Sequence, residues 1–245
     1  MLAGCSPSQP PAPAESSAPQ KPSGKSIDPA TAATISGVVK FDGPAPKRAP
    51  IEMGLDANCE YSSKEPNLDE RVIVQNGDLV NVFVYVKTGL AGYASEVPKE
   101  AVVLDQQGCR YRPHVLGMVA GQTLRILNSD ITMHNVHPEP AKNRAWNVTQ
   151  MPKGKPVETT FEQPELLVPL VCNQHNWMKM YVNVVSSPFF AVTGPDGSFR
   201  ISGLPPGEYT LVALHEKLGS QEIQVKVGAK ESKSDVAFHF KPAQP

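Results

Sequence analysis

The stretch Val171–Met178 (VCNQHNWM) combines a thiol, an imidazole and a thioether in the spacing Cys-x-x-His-x-x-Met. It lies between two short apolar runs, which is typical of a loop that joins two strands. Upstream, Met133–His137 (MHNVH) supplies further imidazoles just after another apolar run. One thiolate, two imidazoles and a weakly bound thioether form the ligand set of copper sites that exchange electrons. The sequence therefore predicts a metal centre whose ligands lie on two separate loops.

The composition predicts an all-β protein. The chain has 245 residues, which is enough for one large or two small domains with an ample core. Its 18 glycines and 25 prolines separate short apolar runs, and helical periodicity is poor throughout. The net charge of -1 provides no basic surface for nucleic acid, so no nucleic-acid partner is expected. No apolar run approaches the ~20 residues needed to cross a bilayer.

The N-terminus resembles that of bacterial lipoproteins. Leu2–Cys5 (LAGC) matches a lipobox, in which the Cys is lipidated, and the Pro/Ser/Ala-rich residues 6–25 resemble a flexible tether. A signal peptide needs a charged and an apolar region, however, and only Met1 to Gly4 precede Cys5. We expect lipidation at Cys5 and a location on the periplasmic side of a bacterial membrane. The alternative is a chance LAGC ahead of a disordered tail.

Two cysteines remain once Cys5 is assigned to lipid and Cys172 to metal. In an exported protein, Cys59 and Cys109 most simply form a disulfide. Closing the loop of about 50 residues between them would stabilise the fold by roughly 4 kcal/mol in the loop-entropy model. The alternative is a second metal site that uses Cys109 with His114, although no clear third and fourth ligands accompany them.

Strand-like runs divide the chain into three blocks after a tether of residues 1–33. Residues 34–104 form an N-terminal β segment, 105–186 contain both candidate ligand loops, and 187–241 are rich in turn signals. The last block alone has few strands for a stable two-sheet sandwich. In one arrangement it pairs with the N-terminal segment, so that 105–186 are inserted between the halves of a single sandwich. In the other, the N-terminal segment joins the sheet of 105–186 and an independent tail domain follows.

The block 105–186 resembles the cupredoxins, with amicyanin and plastocyanin as the nearest types. The matching pieces are Asn128–Asp130, His134–Val136 and Cys172–Met178 followed by a Val-rich strand. The resemblance implies a Greek-key β-sandwich that binds one type 1 (blue) copper, with Asn135 bracing the site. The implied copper ligands are His134, Cys172, His175 and Met178.

Two nearby residues are rival ligands. Met180 could replace Met178 as the axial ligand, but it alternates with Tyr181 in strand phase and resembles a packing residue. His137 could compete with His134, but it lies three residues from the position that the family uses. By the same resemblance, the edge of His175 is expected at the surface within an apolar patch that includes Trp177, as the port for electrons.

The last block contains a second resemblance. Asp196–Phe199 (DGSF) with Gly203–Tyr209 (GLPPGEY) resembles the carboxypeptidase regulatory-like (transthyretin-like) β-sandwich module, which is not catalytic. Together, these patterns predict a membrane-tethered electron carrier rather than an enzyme, with a cytochrome or a respiratory complex as redox partner. The alternatives are a periplasmic copper protein for delivery or storage, and a structural β-protein with an empty site.

Overall fold

The protein is all-β, as the sequence predicts. The computed structural model describes residues 24–54, 56–62 and 66–242, and Cys5 and most of the predicted tether lie outside these ranges. Within them the single α-helix is the one-turn α1 (Ala57–Glu60). No helix of the described residues is both long and apolar enough to span a membrane.

Eighteen strands make up the described part of the chain. In order they are β1 (Ala33–Phe41), β2 (Val74–Gln75), β3 (Asp78–Leu79), β4 (Phe83–Thr88), β5 (Val102–Gln106), β6 (Tyr111–Arg112), β7 (Val115–Val119), β8 (Thr123–Asn128), β9 (His134–Pro138), β10 (Val148–Gln150), β11 (Val157–Thr160), β12 (Glu165–Val171), β13 (Lys179–Val185), β14 (Phe190–Val192), β15 (Ser198–Leu204), β16 (Gly207–His215), β17 (Gly219–Val227) and β18 (Ser232–Phe240). They form four sheets that pack as two sandwiches.

The two ends of the chain form one sandwich, which we call the terminal sandwich. In its first sheet β1 lies between the antiparallel β15 and the parallel β18, with β3 and β2 completing the sheet. In its second sheet β4 lies between β14 and β16, and β17 follows. Ile35, Val84 and Phe238 meet in the core between these sheets. Strands β1 and β4 of the N-terminal segment therefore pair with strands of residues 187–241.

The middle of the chain forms the inserted sandwich, β5 to β13. Its sheets run β10-β9-β12-β13-β7 and β11-β8-β5-β6. It begins before residue 105, because β5 pairs in parallel with β8 and buries Leu104 in the core. Met53 and Cys59, from the long connection between β1 and β2, pack into the same core.

The two ligand loops meet at one end of the inserted sandwich. β9 and β12 are antiparallel neighbours, with Val171 opposite His137. Since β12 ends at Val171 and β9 begins at His134, the loop after β12 lies beside the first residue of β9. The sheet register thus brings the two sequence motifs together.

Gly37 gives a test of the strand pairing in the terminal sandwich. A Cβ atom at this position would lie 1.8 Å from the carbonyl oxygen of Val236 on β18. Gly37→Ala should therefore force β1 and β18 apart and lower the free energy of unfolding by about 1–3 kcal/mol. Hydrogen exchange should show the loss of protection in β1, β15 and β18, while the inserted sandwich keeps its protection.

Gly54→Ala is the matched control, because a Cβ atom there meets nothing within 4 Å. We expect it to change the free energy of unfolding by less than about 0.5 kcal/mol. Equal losses in the two variants would contradict the pairing of β1 with β18.

Candidate metal centre

Three predicted ligands converge in a buried pocket. The ligand atoms of His134, Cys172 and His175 all lie within 4.8 Å of one another. The two Nδ1 atoms of the imidazoles are 2.9 Å apart, and Cys172 Sγ is 3.7 Å from His175 Nδ1. None of the three residues is more than 5% exposed. The fold therefore directs two nitrogen donors and one sulfur donor at a single point.

The backbone of the ligand loop is tightly turned. The Cys172 N–H donates to the Met178 carbonyl at 3.2 Å, and the Met178 N–H donates to the His175 carbonyl at 2.9 Å. These bonds close the loop between β12 and β13 and bury the Met178 side chain, which is 1% exposed. Cys172, His175 and Met178 are thereby held on one short loop, as the sequence predicts.

Asn135 joins the two ligand loops. Its Oδ1 accepts from the Asn173 N–H at 2.8 Å and lies 3.4 Å from Cys172 Sγ. Its amide nitrogen donates to Asn147 and to the Asn173 side chain. The side chain next to His134 thus fixes the backbone next to Cys172.

Each imidazole contacts a carboxylate at its outer nitrogen. His134 Nε2 is 2.9 Å from Asp130 Oδ2, and His175 Nε2 is 3.2 Å from Asp56 Oδ2. A carboxylate accepts the Nε2 proton and so leaves the Nδ1 lone pair free for a metal. Both rings therefore have the orientation that a metal site bound through Nδ1 needs.

The site favours a thiolate and a protonated imidazole when no metal is bound. Burial opposes ionisation of Cys172, but the His134 hydrogen bond and nearby backbone N–H groups lower the pKa of the thiol to about 6. Burial likewise opposes protonation of His134, but Asp130 and Cys172 raise its pKa to about 9. Burial also opposes ionisation of Asp130, and the pKa of this carboxyl is nevertheless lowered by hydrogen bonds from His134 and two backbone N–H groups. The pocket thus holds a proton among its donor atoms, where a metal cation would take its place.

The expectation that the His175 edge lies at the surface is wrong. His175 is 5% exposed, and its outer nitrogen faces Asp56 and the sulfur of Cys59 rather than solvent. The covering residues belong to the connection between β1 and β2. Trp177 packs on the same imidazole at 5.0 Å between ring centroids and donates its indole N–H to the Cys109 carbonyl.

Cys59 and Cys109 form a disulfide, which confirms the predicted pair. The rival metal site of Cys109 with His114 is therefore wrong, because the sulfur of Cys109 is bonded to Cys59. His114 instead contacts Glu216 Oε1 at 2.5 Å, across the boundary between the two sandwiches.

The other rival ligands, Met180 and His137, have different partners in the structure. Met180 is fully buried on β13 opposite Leu170, in the core of the inserted sandwich. His137 directs its Nδ1 to the Asn173 side chain at 3.2 Å. Met178 as the axial ligand stays a prediction that its place in the ligand loop favours.

Asp56 and Asp130 are functional candidates that the sequence interpretation missed. Asp130 is four residues before His134, and this short spacing is a signal that could have suggested a contact. Asp56 is 119 residues before His175, so only the folded chain brings the two together.

Comparisons with known proteins find partial similarities to solved structures. No protein-family model and no curated protein matches the chain. A copper-containing nitrite reductase from Thermus scotoductus SA-01 is 20% identical, over 41% of this chain and 25% of that one, with a TM-score of 0.32. The chain thus spans a quarter of the length of that reductase.

Two smaller proteins match similar shares of the chain. A point mutant of amicyanin, in its Cu(I) form, is 22% identical over 37% of this chain and 87% of its own, with a TM-score of 0.32. A purple cupredoxin from Nitrosopumilus maritimus is 24% identical over 31% of this chain and 81% of its own, with a TM-score of 0.27. Since these likenesses are low and partial, the case for a metal centre rests on the geometry of its side chains. The resemblance of residues 187–241 to a regulatory-like module stays a prediction.

The ionisation of Cys172 can be measured in the metal-free protein. As the pH is lowered, the ultraviolet absorbance of the thiolate should fall with a midpoint near pH 6, because the pKa of Cys172 is lowered to about 6. A model thiol has a pKa of about 8.5. The difference between the parent and Cys172→Ser at each pH isolates this residue from Cys5. A midpoint above about pH 8 would show that the hydrogen bonds do not stabilise the thiolate.

Proposed function

We propose that this protein binds one copper ion and carries single electrons between redox partners. The supporting observation is the convergence of His134 Nδ1, His175 Nδ1 and Cys172 Sγ in a pocket closed to solvent. A soft thiolate with two imidazoles suits both oxidation states of copper. His134, Cys172 and His175 would hold the ion, and the Met178 thioether on the same loop would be a further, weak ligand.

The chemistry that copper supplies when bound is one-electron exchange between Cu(I) and Cu(II). The side chains of this chain supply a fixed environment for that exchange. Asn135 ties the two ligand loops together, and Asp130 and Asp56 orient the imidazoles. These contacts fix both ligand loops and both rings around the proposed ion.

Burial of the site supports electron transfer over the alternatives. A catalytic metal site keeps an open position for substrate, whereas the three donors here are closed to solvent. A delivery protein would favour an exposed site rich in Met and His, but the whole chain has only 7 Met and no run of them. The proposal is therefore an electron carrier without catalytic activity of its own.

The proposed setting is the periplasmic side of a bacterial membrane. Its support is the LAGC sequence ending at Cys5, followed by the Pro-rich residues 6–25 that would serve as a tether. A cytochrome or a respiratory complex would be the redox partner, meeting the protein over a small, transient interface of less than ~1,200 Å².

Copper binding by paired histidine variants tests the proposed site. The oxidised, copper-loaded protein should show the intense visible absorption of a thiolate-to-copper charge transfer, and Cys172→Ser should abolish it. His134→Ala should weaken copper binding by at least about 100-fold, since the loss of even an outer partner costs up to that much. His137→Ala is the matched control on the same strand, because its ring faces Asn173 and not the pocket.

A colourless copper-loaded protein would contradict the proposed function. Equal losses of affinity in His134→Ala and His137→Ala would contradict the ligand assignment.

A further inference from the structure

The connection between β1 and β2 contributes a cover over His175. Residues 56–62, which we call the cover, contain Asp56, the helix α1 and Cys59. Asp56 Oδ2 is 3.2 Å and Cys59 Sγ is 3.7 Å from His175 Nε2. Cys59 is fully buried, and its sulfur lies against the outer edge of a proposed copper ligand.

The two carboxylates that meet the imidazoles are each fixed by a segment that carries one of the paired cysteines. Asp130 accepts from the backbone N–H groups of Gly108 at 2.7 Å and Cys109 at 2.8 Å. Asp56 caps the helix that carries Cys59 and accepts from the Asn58 N–H at 2.8 Å. The disulfide between Cys59 and Cys109 therefore joins the segment that binds Asp130 to the helix that Asp56 caps.

A further hydrogen bond joins the cover to the loop that carries Asp130 and His134. Thr132, two residues after Asp130, donates its hydroxyl to Asp56 Oδ2 at 3.0 Å. The cover is thus attached to the His134 loop on one side and to the Cys109 segment on the other. Because the disulfide closes a loop with a sequence separation of 50, its loss would free a long segment of chain.

We propose that Asp56 and Asp130 are positioning residues for the two imidazoles, and that the Cys59–Cys109 disulfide clamps both carboxylates in place and keeps His175 covered. This inference rests on the proposed function for the identity of the metal. It also means that a redox partner cannot touch the outer nitrogen of His175, so electrons pass through another part of the rim. Trp177, whose ring centroid is 5.0 Å from that of His175, is the aromatic side chain of this rim that also lines a surface pocket.

Acylation of His175 by diethyl pyrocarbonate in the metal-free protein tests the clamp directly. Labelling quantified by mass spectrometry should be at least about tenfold faster in Cys59→Ala/Cys109→Ala than in the parent, because local opening then exposes the ring. Replacing both cysteines avoids an unpaired thiol beside the site. His239, on the terminal sandwich with 54% of its side chain exposed, is the internal reference and should label at the same rate in both proteins.

Asp56→Ala keeps the disulfide and serves as a second variant should the double variant fail to fold. Loss of one hydrogen bond to a buried ring should speed labelling of His175 by about fivefold. Unchanged labelling of His175 in a folded variant, with His239 as the reference, would overturn the proposal.

The reduction potential separates positioning from a purely structural role. The negative charge of Asp56 beside His175 favours Cu(II) over Cu(I), because Cu(II) carries the higher positive charge. Asp56→Asn removes this charge, so the reduction potential of the copper-loaded protein should rise. Asp42→Asn is the matched control, because it removes the carboxylate from the remote and exposed His239. An unchanged potential in Asp56→Asn would contradict the positioning role. A protein that binds no copper would refute the proposed function, while the labelling experiment would still decide the clamp.

Discussion

The architecture of the site depends on the contact between each imidazole and a carboxylate at its outer nitrogen. Asp130 meets His134 and Asp56 meets His175, and both rings thereby present Nδ1 to the same point as the Cys172 sulfur. A buried imidazole without such a partner could adopt either tautomer, and only one of these can bind a metal at Nδ1. Other features of the inserted sandwich place these two contacts.

The fold places them through strand register and a cross-link. The antiparallel pairing of β9 with β12 sets His134 beside the loop of Cys172 and His175. The disulfide then anchors the long connection from the terminal sandwich over the same end of the inserted sandwich. The terminal sandwich, completed by β1 and β4, gives this connection its fixed starting point.

The local features of the chain could be predicted, and the long-range ones could not. The all-β class was predicted because short apolar runs and the turn residues that separate them are local signals. The three converging donors were predicted because their spacing within two short motifs is characteristic. The burial of His175 was missed because Asp56 and Cys59 reach it from more than 100 residues away. The strand β5 was missed because Val102–Gln106 is only five residues long. Its partner β8 follows only after β6 and β7, so the pairing is not a local signal.

A pocket whose donors, outer partners and loop bonds are fixed by the fold should keep its ion in both oxidation states. The most direct test is voltammetry of the copper-loaded protein with an excess of a Cu(I) chelator in solution. A prebuilt carrier site predicts a reversible one-electron wave whose height stays constant over repeated cycles. Loss of the wave, with copper appearing on the chelator after each reduction, would show that the ion is cargo and would contradict this account.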